Sequence, residues 1–383
     1  MSAPASSVLP MVSLRINPDV LRWSMQESGL DVEEVARATA RSRALVEQWL
    51  SGDELPTKGD VEKIGKRAGR SIQFYFLPGP PAQSPAVARF RSSFDRNETD
   101  PTAEVAAVRA AARMQKVVRW AADQTDSDTV QFPDVGNSPD AYALLMQSRI
   151  HWHTRTQVDA TSKSALFKAL RSHIEQLGVT VTLRSMGEKS CRGFSLSDPR
   201  APLIAINRDY KLPSLRTYTL LHELAHIARG SSAVCFDEDT AEERWCEAFA
   251  ASFLMPEAHL RAYFEYKHWT RVTVDQIDER IRLTSNRYKA SWQSVAIRLR
   301  DLQLADQRVV DAVMNNSREV DNGFAPSSRP TPVRRLEEFG LTFTRAVLDL
   351  RQQDQLSEYD ARRYLNVNGS QLSSLELIAD GGA

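Results

Sequence analysis

Between Asn17 and Ile72 apolar residues recur at helical spacing in short, tightly punctuated runs. NPDVLRWSMQESG has a proline where a helix starts and a glycine where it stops, DVEEVARATA opens on a capping aspartate, and RSRALVEQWLSG has a capping serine and a terminal glycine. Val32, Val35 and Ala36 form one apolar stripe and Leu45, Val46 and Trp49 the next. With LPTKGDVEKIGKRAG as a fourth helix, the pattern predicts a compact helical module. The proline cluster in FYFLPGPPAQSP cannot continue a helix and sets a boundary near residue 80. Residues 103–125 and 140–149 again read as helices, and KSALFKALRSHIEQLG is a strongly amphipathic one ending at Gly178. VTVTL, RGFSLS and PLIAIN follow as three short strands. TYTLLHELAHIARG and TAEERWCEAFAASFLMP then read as a helix pair, and helices continue to the end, interrupted by the polar stretch NNSREVDNGFAPSSRPTP. The predicted fold is mostly α with a small β-sheet, divided as 1–80, 81–265 and 266–383.

A length of 383 residues suits two or three domains, and 42% hydrophobic against 26% charged residues lies within the globular range. Lys plus Arg equals Asp plus Glu at 49 each, so no overall field draws the chain to nucleic acid or an anionic membrane. Cys191, Cys235 and Cys246 are too few for a secreted disulfide framework. The opening residues lack a basic segment followed by an apolar run, and no apolar stretch is long enough to span a bilayer. The expectation is a cytoplasmic protein without a membrane partner.

HELAH changes the picture. On a helix, residues at i and i+4 share a face, so His222 and His226 can converge on one ion without distorting the backbone. A catalytic zinc takes three protein ligands and leaves a position for solvent. Glu223 is turned one helical step away; it reaches the water rather than the metal, as a general base would. The third ligand is sought in the next helix, where Trp245, Phe249 and Phe253 mark a core stripe and Glu243 and Glu247 lie four apart on another face. Glu243 is the expected third ligand, and Glu247 the expected partner of a histidine's free ring nitrogen. Glu242 and Cys246 compete for these roles. Tyr218, Arg216, His259 and His268 are candidates for stabilising an oxyanion.

TYTLLHELAHI followed by EERWCEAFAASFLMP resembles the ImmA/IrrE metallopeptidases, with Glu243, Ala248, Phe249, Ala250, Ala251, Leu254, Met255 and Pro256 in step with the second-helix motif. Cys246 stands where that motif has alanine, and Glu247 where Asn or Asp is commoner. The resemblance, over about residues 85–265, implies a zincin-like α+β peptidase core and zinc as the metal. It also implies cleavage of a protein substrate such as a transcriptional repressor or regulator, gripped along an edge strand beside the active helix, for which CRGFSLS and PLIAIN both qualify.

The N-terminal module is similar to the Xre/Cro helix-turn-helix type, with the second and third helices joined through TARS. That geometry would put Arg41, Ser42, Arg43 and Gln48 near base edges of duplex DNA. Acidic and basic side chains balance between residues 13 and 70, which limits phosphate neutralisation. The competing reading of the whole chain is a DNA-binding regulator whose metal site is structural or sensory.

Overall fold

The computed structural model describes residues 13–28, 30–81, 101–188, 190–231, 240–315 and 329–381. Cys235 and most of the polar stretch before residue 330 lie outside them. The chain separates into two compact units, Met1–Ala110 and Ala111–Ala383.

The first unit contains α1 (Pro18–Ser28), α2 (Val32–Thr39), α3 (Arg43–Ser51) and α4 (Lys58–Ala68). Each of the last three begins at a side chain that satisfies an otherwise orphaned backbone N–H. Asp31 accepts from the Glu34 amide, Ser42 from Leu45 and Thr57 from Asp60. The apolar stripes expected from the sequence meet in one core around Val20, Leu21, Val35, Val46, Trp49 and Ile64. Buried Glu27 accepts from Arg70 and from Arg109, which lies on α5 (Pro101–Gln124), the helix within which the division between units falls.

In the second unit, α6 (Pro139–Arg149), the short α7 (Thr154–Asp159) and α8 (Lys163–Gln176) lead to β1 (Thr180–Arg184), β2 (Gly193–Leu196) and β3 (Leu203–Asn207). The sheet order is β1-β3-β2, with β1 parallel and β2 antiparallel to β3. β3 is therefore the middle strand, fully buried, and PLIAIN does not supply the edge that the sequence reading allowed it. That position falls to β2. The contact of Asn207 N with Arg192 O fixes the hydrogen-bonded rows, so the alternation turns the backbone groups of Gly193 and Ser195 away from β3.

Next comes α9 (Pro213–Ala228), opened by Pro213 and buried over most of its surface. A side chain at position 193 would sit 2.7 Å from Thr219 Cγ2 and 2.9 Å from Ala205 O, so the glycine lets α9 lie close on β2. The helix α10 (Ala241–Leu254) packs along α9, followed by α11 (Glu257–Tyr266), α12 (Arg282–Tyr288), α13 (Trp292–Asp301) and α14 (Gln307–Asn315). Leu220, Leu221 and Leu224 of α9 share one core with Ile204 and Ile206, Phe249 and Phe253, Leu166 and Leu170, and Val295 and Leu299. Each such side chain contributes about 1.5–3 kcal/mol of burial, which makes α9 a rigid platform. Helices after residue 266 thus enter the same core as the HELAH helix.

The last elements are α15 (Thr331–Phe339), α16 (Leu341–Gln352), α17 (Glu358–Leu365) and α18 (Gly369–Gly381). The first two of them pack on β1. Thr182 Oγ1 donates to Glu338 O at 2.8 Å and Arg171 Nη1 to Glu337 O at 2.6 Å, while buried Glu175 accepts from Leu341 N at 3.0 Å. Among the described residues no helix is long and apolar enough to cross a membrane.

Candidate metal centre

The site is built where α9 and α10 cross. Leu221, Leu224 and Ala225 are held in the core, and this fixes the rotation of α9 so that His222 and His226 emerge together toward α10. Their Nε2 atoms lie 3.2 Å apart. On the facing helix Thr240 accepts from the Glu243 amide at 3.1 Å, which starts α10 three residues before that glutamate. Negative charge in this first turn is favoured by the helix dipole. Below it Trp245 and Phe249 stack with rings 5.8 Å apart and 2° from parallel, and Tyr142 of α6 packs against both.

Glu243 meets both histidines. Its Oε2 is 3.1 Å from His222 Nε2 and its Oε1 3.3 Å from His226 Nε2. These three side chains can together hold a metal ion. His226 is 1% exposed and Glu243 16%. Burial works against charge on His226, but its hydrogen bonds with Cys246 and to the Glu243 carboxylate and the charge of Glu223 outweigh it and push its pKa up to about 11. Burial likewise favours the neutral form of Glu243, yet its bonds to His222 and His226 bring the carboxyl down to about 2. The cleft therefore places negative charge against the inner ring nitrogens, the electrostatic environment a cation would meet. Glu223 is fully buried beside His222 on α9.

The other acidic side chains are sorted by which edge of the imidazole they face. Glu242 Oε1 lies 3.4 Å from Nδ1 of His226 and Cys246 Sγ 3.7 Å from the same atom. Both sit on the ring's outer side, away from the three converging donors, so neither is placed as a ligand. Ser231, which no sequence pattern singled out, lies just past the end of α9 with its Oγ 2.5 Å from Glu242 Oε1. That hydrogen bond is the leading reason the Glu242 carboxyl is held below its usual range. Burial pushes the Cys246 thiol up.

Glu247 does not partner a histidine. It is exposed, and its backbone carbonyl accepts from the Tyr218 hydroxyl at 3.1 Å. The two helices run in opposite senses here, so a step of one turn along α10 from Glu243 meets the turn of α9 before His222, at Tyr218. That hydroxyl is therefore engaged with backbone. Arg216 is also committed, donating through Nε to Tyr210 O at 2.8 Å and through Nη2 to Arg208 O.

The four candidate nucleic-acid contacts in the first unit are not equivalent. Arg41 donates to buried Asp60 at 3.2 and 3.3 Å. Arg43 pairs with Glu47 at 2.8 Å and with Glu33 at 3.4 Å. Ser42 caps α3, and Gln48 is exposed on it.

A mostly helical protein with a small sheet and a two-helix His-His-Glu cluster is the class that fold and site define. Residues 174–300 match a peptidase family model described as the IrrE N-terminal-like domain. The stretch contains both site helices, and over it the resemblance seen in the sequence is borne out. A solved structure of a Mycobacterium tuberculosis transcriptional regulator is similar to the chain at 15% identity with a TM-score of 0.30, covering 49% of this chain and 52% of that one. The chain thus spans about half the length of that structure. Among curated proteins none matches.

Proposed function

We propose that this chain is a zinc-dependent endopeptidase of the ImmA/IrrE type that cleaves a protein partner, a transcriptional repressor or regulator, to control gene expression. The observation that carries the reading is the spacing of the three donors. A tetrahedral zinc with bonds of about 2.0–2.1 Å separates its ligand atoms by about 3.3 Å. The two Nε2 atoms lie 3.2 Å apart and Glu243 straddles them, Oε2 at 3.1 Å from His222 and Oε1 at 3.3 Å from His226, so that one donor atom from each residue lies within 4.8 Å of the other two; two nitrogens with one carboxylate form a donor set zinc accepts. A bound zinc supplies Lewis acidity toward a carbonyl oxygen and toward water. His222, His226 and Glu243 would hold it.

Glu223 is assigned as general base. Its carboxylate takes a proton from the attacking water as the new C–O bond forms, and passes that proton to the amine nitrogen as the C–N bond breaks. Its burial excludes competing bulk water and raises the strength of its electrostatic action. All four residues of β2, the strand beside α9, are buried, so an extended substrate pairing with Gly193 and Ser195 would have to displace what covers that edge. Residues 1–80, read as the helix-turn-helix-like module, would dock the partner.

The test is Glu223→Gln in the full chain loaded with zinc, against a peptide library read by mass spectrometry. Cleavage should fall by about 10²–10⁴-fold, with zinc content and thermal midpoint unchanged. A wild-type chain that holds zinc and cuts nothing, or a Glu223→Gln chain that cuts as well, would sink the assignment. The second reading, a DNA-binding regulator with a structural or sensory metal, draws on the exposed α3 face with Gln48. Against it, both arginines of the candidate set are already paired with carboxylates. Salt-dependent binding of a duplex would favour that reading.

A further inference from the structure

We infer that Glu242, latched by Ser231, is the positioning residue for His226, fixing the imidazole so that Nε2 presents its lone pair to the metal. The inference rests on the metal-site reading above and adds to it a role for two residues outside the ligand set.

A neutral imidazole carries one N–H, so a ring whose Nε2 binds a metal bears its hydrogen on Nδ1. His226 is 1% exposed, and a buried N–H needs an acceptor. Three atoms lie within reach: Glu242 Oε1 at 3.4 Å, Ser231 Oγ at 3.4 Å and Cys246 Sγ at 3.7 Å. The thiol is a weak acceptor. The Ser231 hydroxyl is drawn to Glu242 Oε1 at 2.5 Å, which spends its hydrogen there and leaves its lone pairs for the imidazole. The direct path and the path through Ser231 therefore both end on the same carboxylate.

Glu242 is itself restrained. Its side chain is 40% exposed, but Ser231 holds one oxygen, and Arg229, lying over the Trp245 ring at 4.8 Å, approaches it at 3.9 Å. Sequence adjacency explains the division of labour. Glu242 and Glu243 stand one helical step apart in the first turn of α10. One carboxylate consequently faces the inner nitrogens while its neighbour reaches round the ring's outer edge. The same arrangement recurs generally where a carboxylate orients a metal-binding histidine, raising its basicity and locking its rotation.

The experiment measures zinc affinity of the full chain by competition with a chromophoric chelator, together with the visible spectrum of the cobalt-loaded protein. Glu242→Ala should weaken zinc by about 10–100-fold and alter the cobalt spectrum. Glu242→Gln keeps an acceptor oxygen and should recover most of that loss. Ser231→Ala should fall between wild type and Glu242→Ala, and Glu247→Ala should match wild type. Thermal unfolding of the metal-free variants separates lost orientation from lost folding. Wild-type affinity in Glu242→Ala overturns the inference, as does a Glu242→Gln chain no better than Glu242→Ala. Glu243→Ala distinguishes the two levels. If it loses zinc while Glu242→Ala keeps it, the metal site stands and the positioning role falls; if the wild type binds no zinc, both fall.

Discussion

Replacing Arg41 with methionine separates a structural role for this side chain from a DNA contact. The substitution keeps an apolar stem and deletes the guanidinium that reaches Asp60 through Nε at 3.2 Å and Nη2 at 3.3 Å. Asp60 is 3% exposed while Arg41 is 31% exposed, so the carboxylate cannot turn to water but its partner is partly screened. Loss of a partner to a buried charge costs about 1–3 kcal/mol, and the partial exposure of the cation argues for the lower half of that range. Thr57 still serves the carboxylate, from Oγ1 at 2.6 Å and from its amide at 3.1 Å, which caps the expected cost at about 2 kcal/mol. Native-state hydrogen exchange of the full chain should show amide protection across α2–α4 falling by about 5–30-fold. The pH dependence has a definite sign. Burial favours the neutral form of Asp60, but Thr57 and Arg41 prevail and lower its pKa from the ordinary 3.8. A lowered folded pKa gives stability that is complete above the unfolded value and disappears as pH falls through the folded one. The difference between wild type and Arg41→Met should therefore be constant from neutral pH down to about 5 and shrink below about 4. Unchanged protection, coupled with lost duplex binding, would refute the pairing argument and restore Arg41 as a nucleic-acid contact.

Gly340→Ala tests the seam between β1 and the last helices. Gly340 has φ +84°, and a side chain there would land on Glu175 Oε1 and Val181 O and lie 2.8 Å from Arg171 Nη2. The expected loss is roughly 2–4 kcal/mol, read as a lower thermal midpoint and earlier proteolytic release of residues 341–381. Phe249→Ala removes a fully buried ring that stacks on Trp245 and contacts Phe253. It should cost about 3–5 kcal/mol in urea unfolding and weaken zinc binding, because the ring seats the helix that carries Glu243.

Local pattern carried most of the fold because the elements are locally encoded. Asp31, Ser42 and Thr57 cap where the sequence places capping residues, and the strands formed within a residue or two of VTVTL, RGFSLS and PLIAIN. What periodicity does not encode is which buried face meets which. Three apolar runs identify strands but not their order, and β3 lies in the middle because it skips back past β2 to pair with β1, Thr180 with Leu203, as well as with β2. Likewise, an apolar stripe on Trp292–Asp301 predicts a buried helix without saying that Val295 and Leu299 join the core beneath His222. Arg41 shows the same limit for surface chemistry: its placement at the start of α3 was legible, and its tie to Asp60, across 19 residues of chain, was not.

For the site, i and i+4 spacing was sufficient to bring His222 and His226 together, since both lie on one helix whose geometry is fixed. The choice among Glu242, Glu243, Cys246 and Glu247 depends on something else, the relative slide of two helices. With α9 and α10 running oppositely, Glu243 falls between the two imidazoles, Glu242 and Cys246 fall on the outer edge of His226, and Glu247 falls level with Tyr218. A slide of one helical turn, about 5.4 Å, would bring Glu247 opposite the histidines instead. The sequence offers two glutamates at the correct spacing for either arrangement, so spacing alone does not choose. The choice is made by the interlock of Trp245, Phe249 and Tyr142 below and by Thr240, which sets where α10 begins. Which carboxylate faces the two imidazoles is thus a property of the aromatic packing as much as of the glutamate spacing.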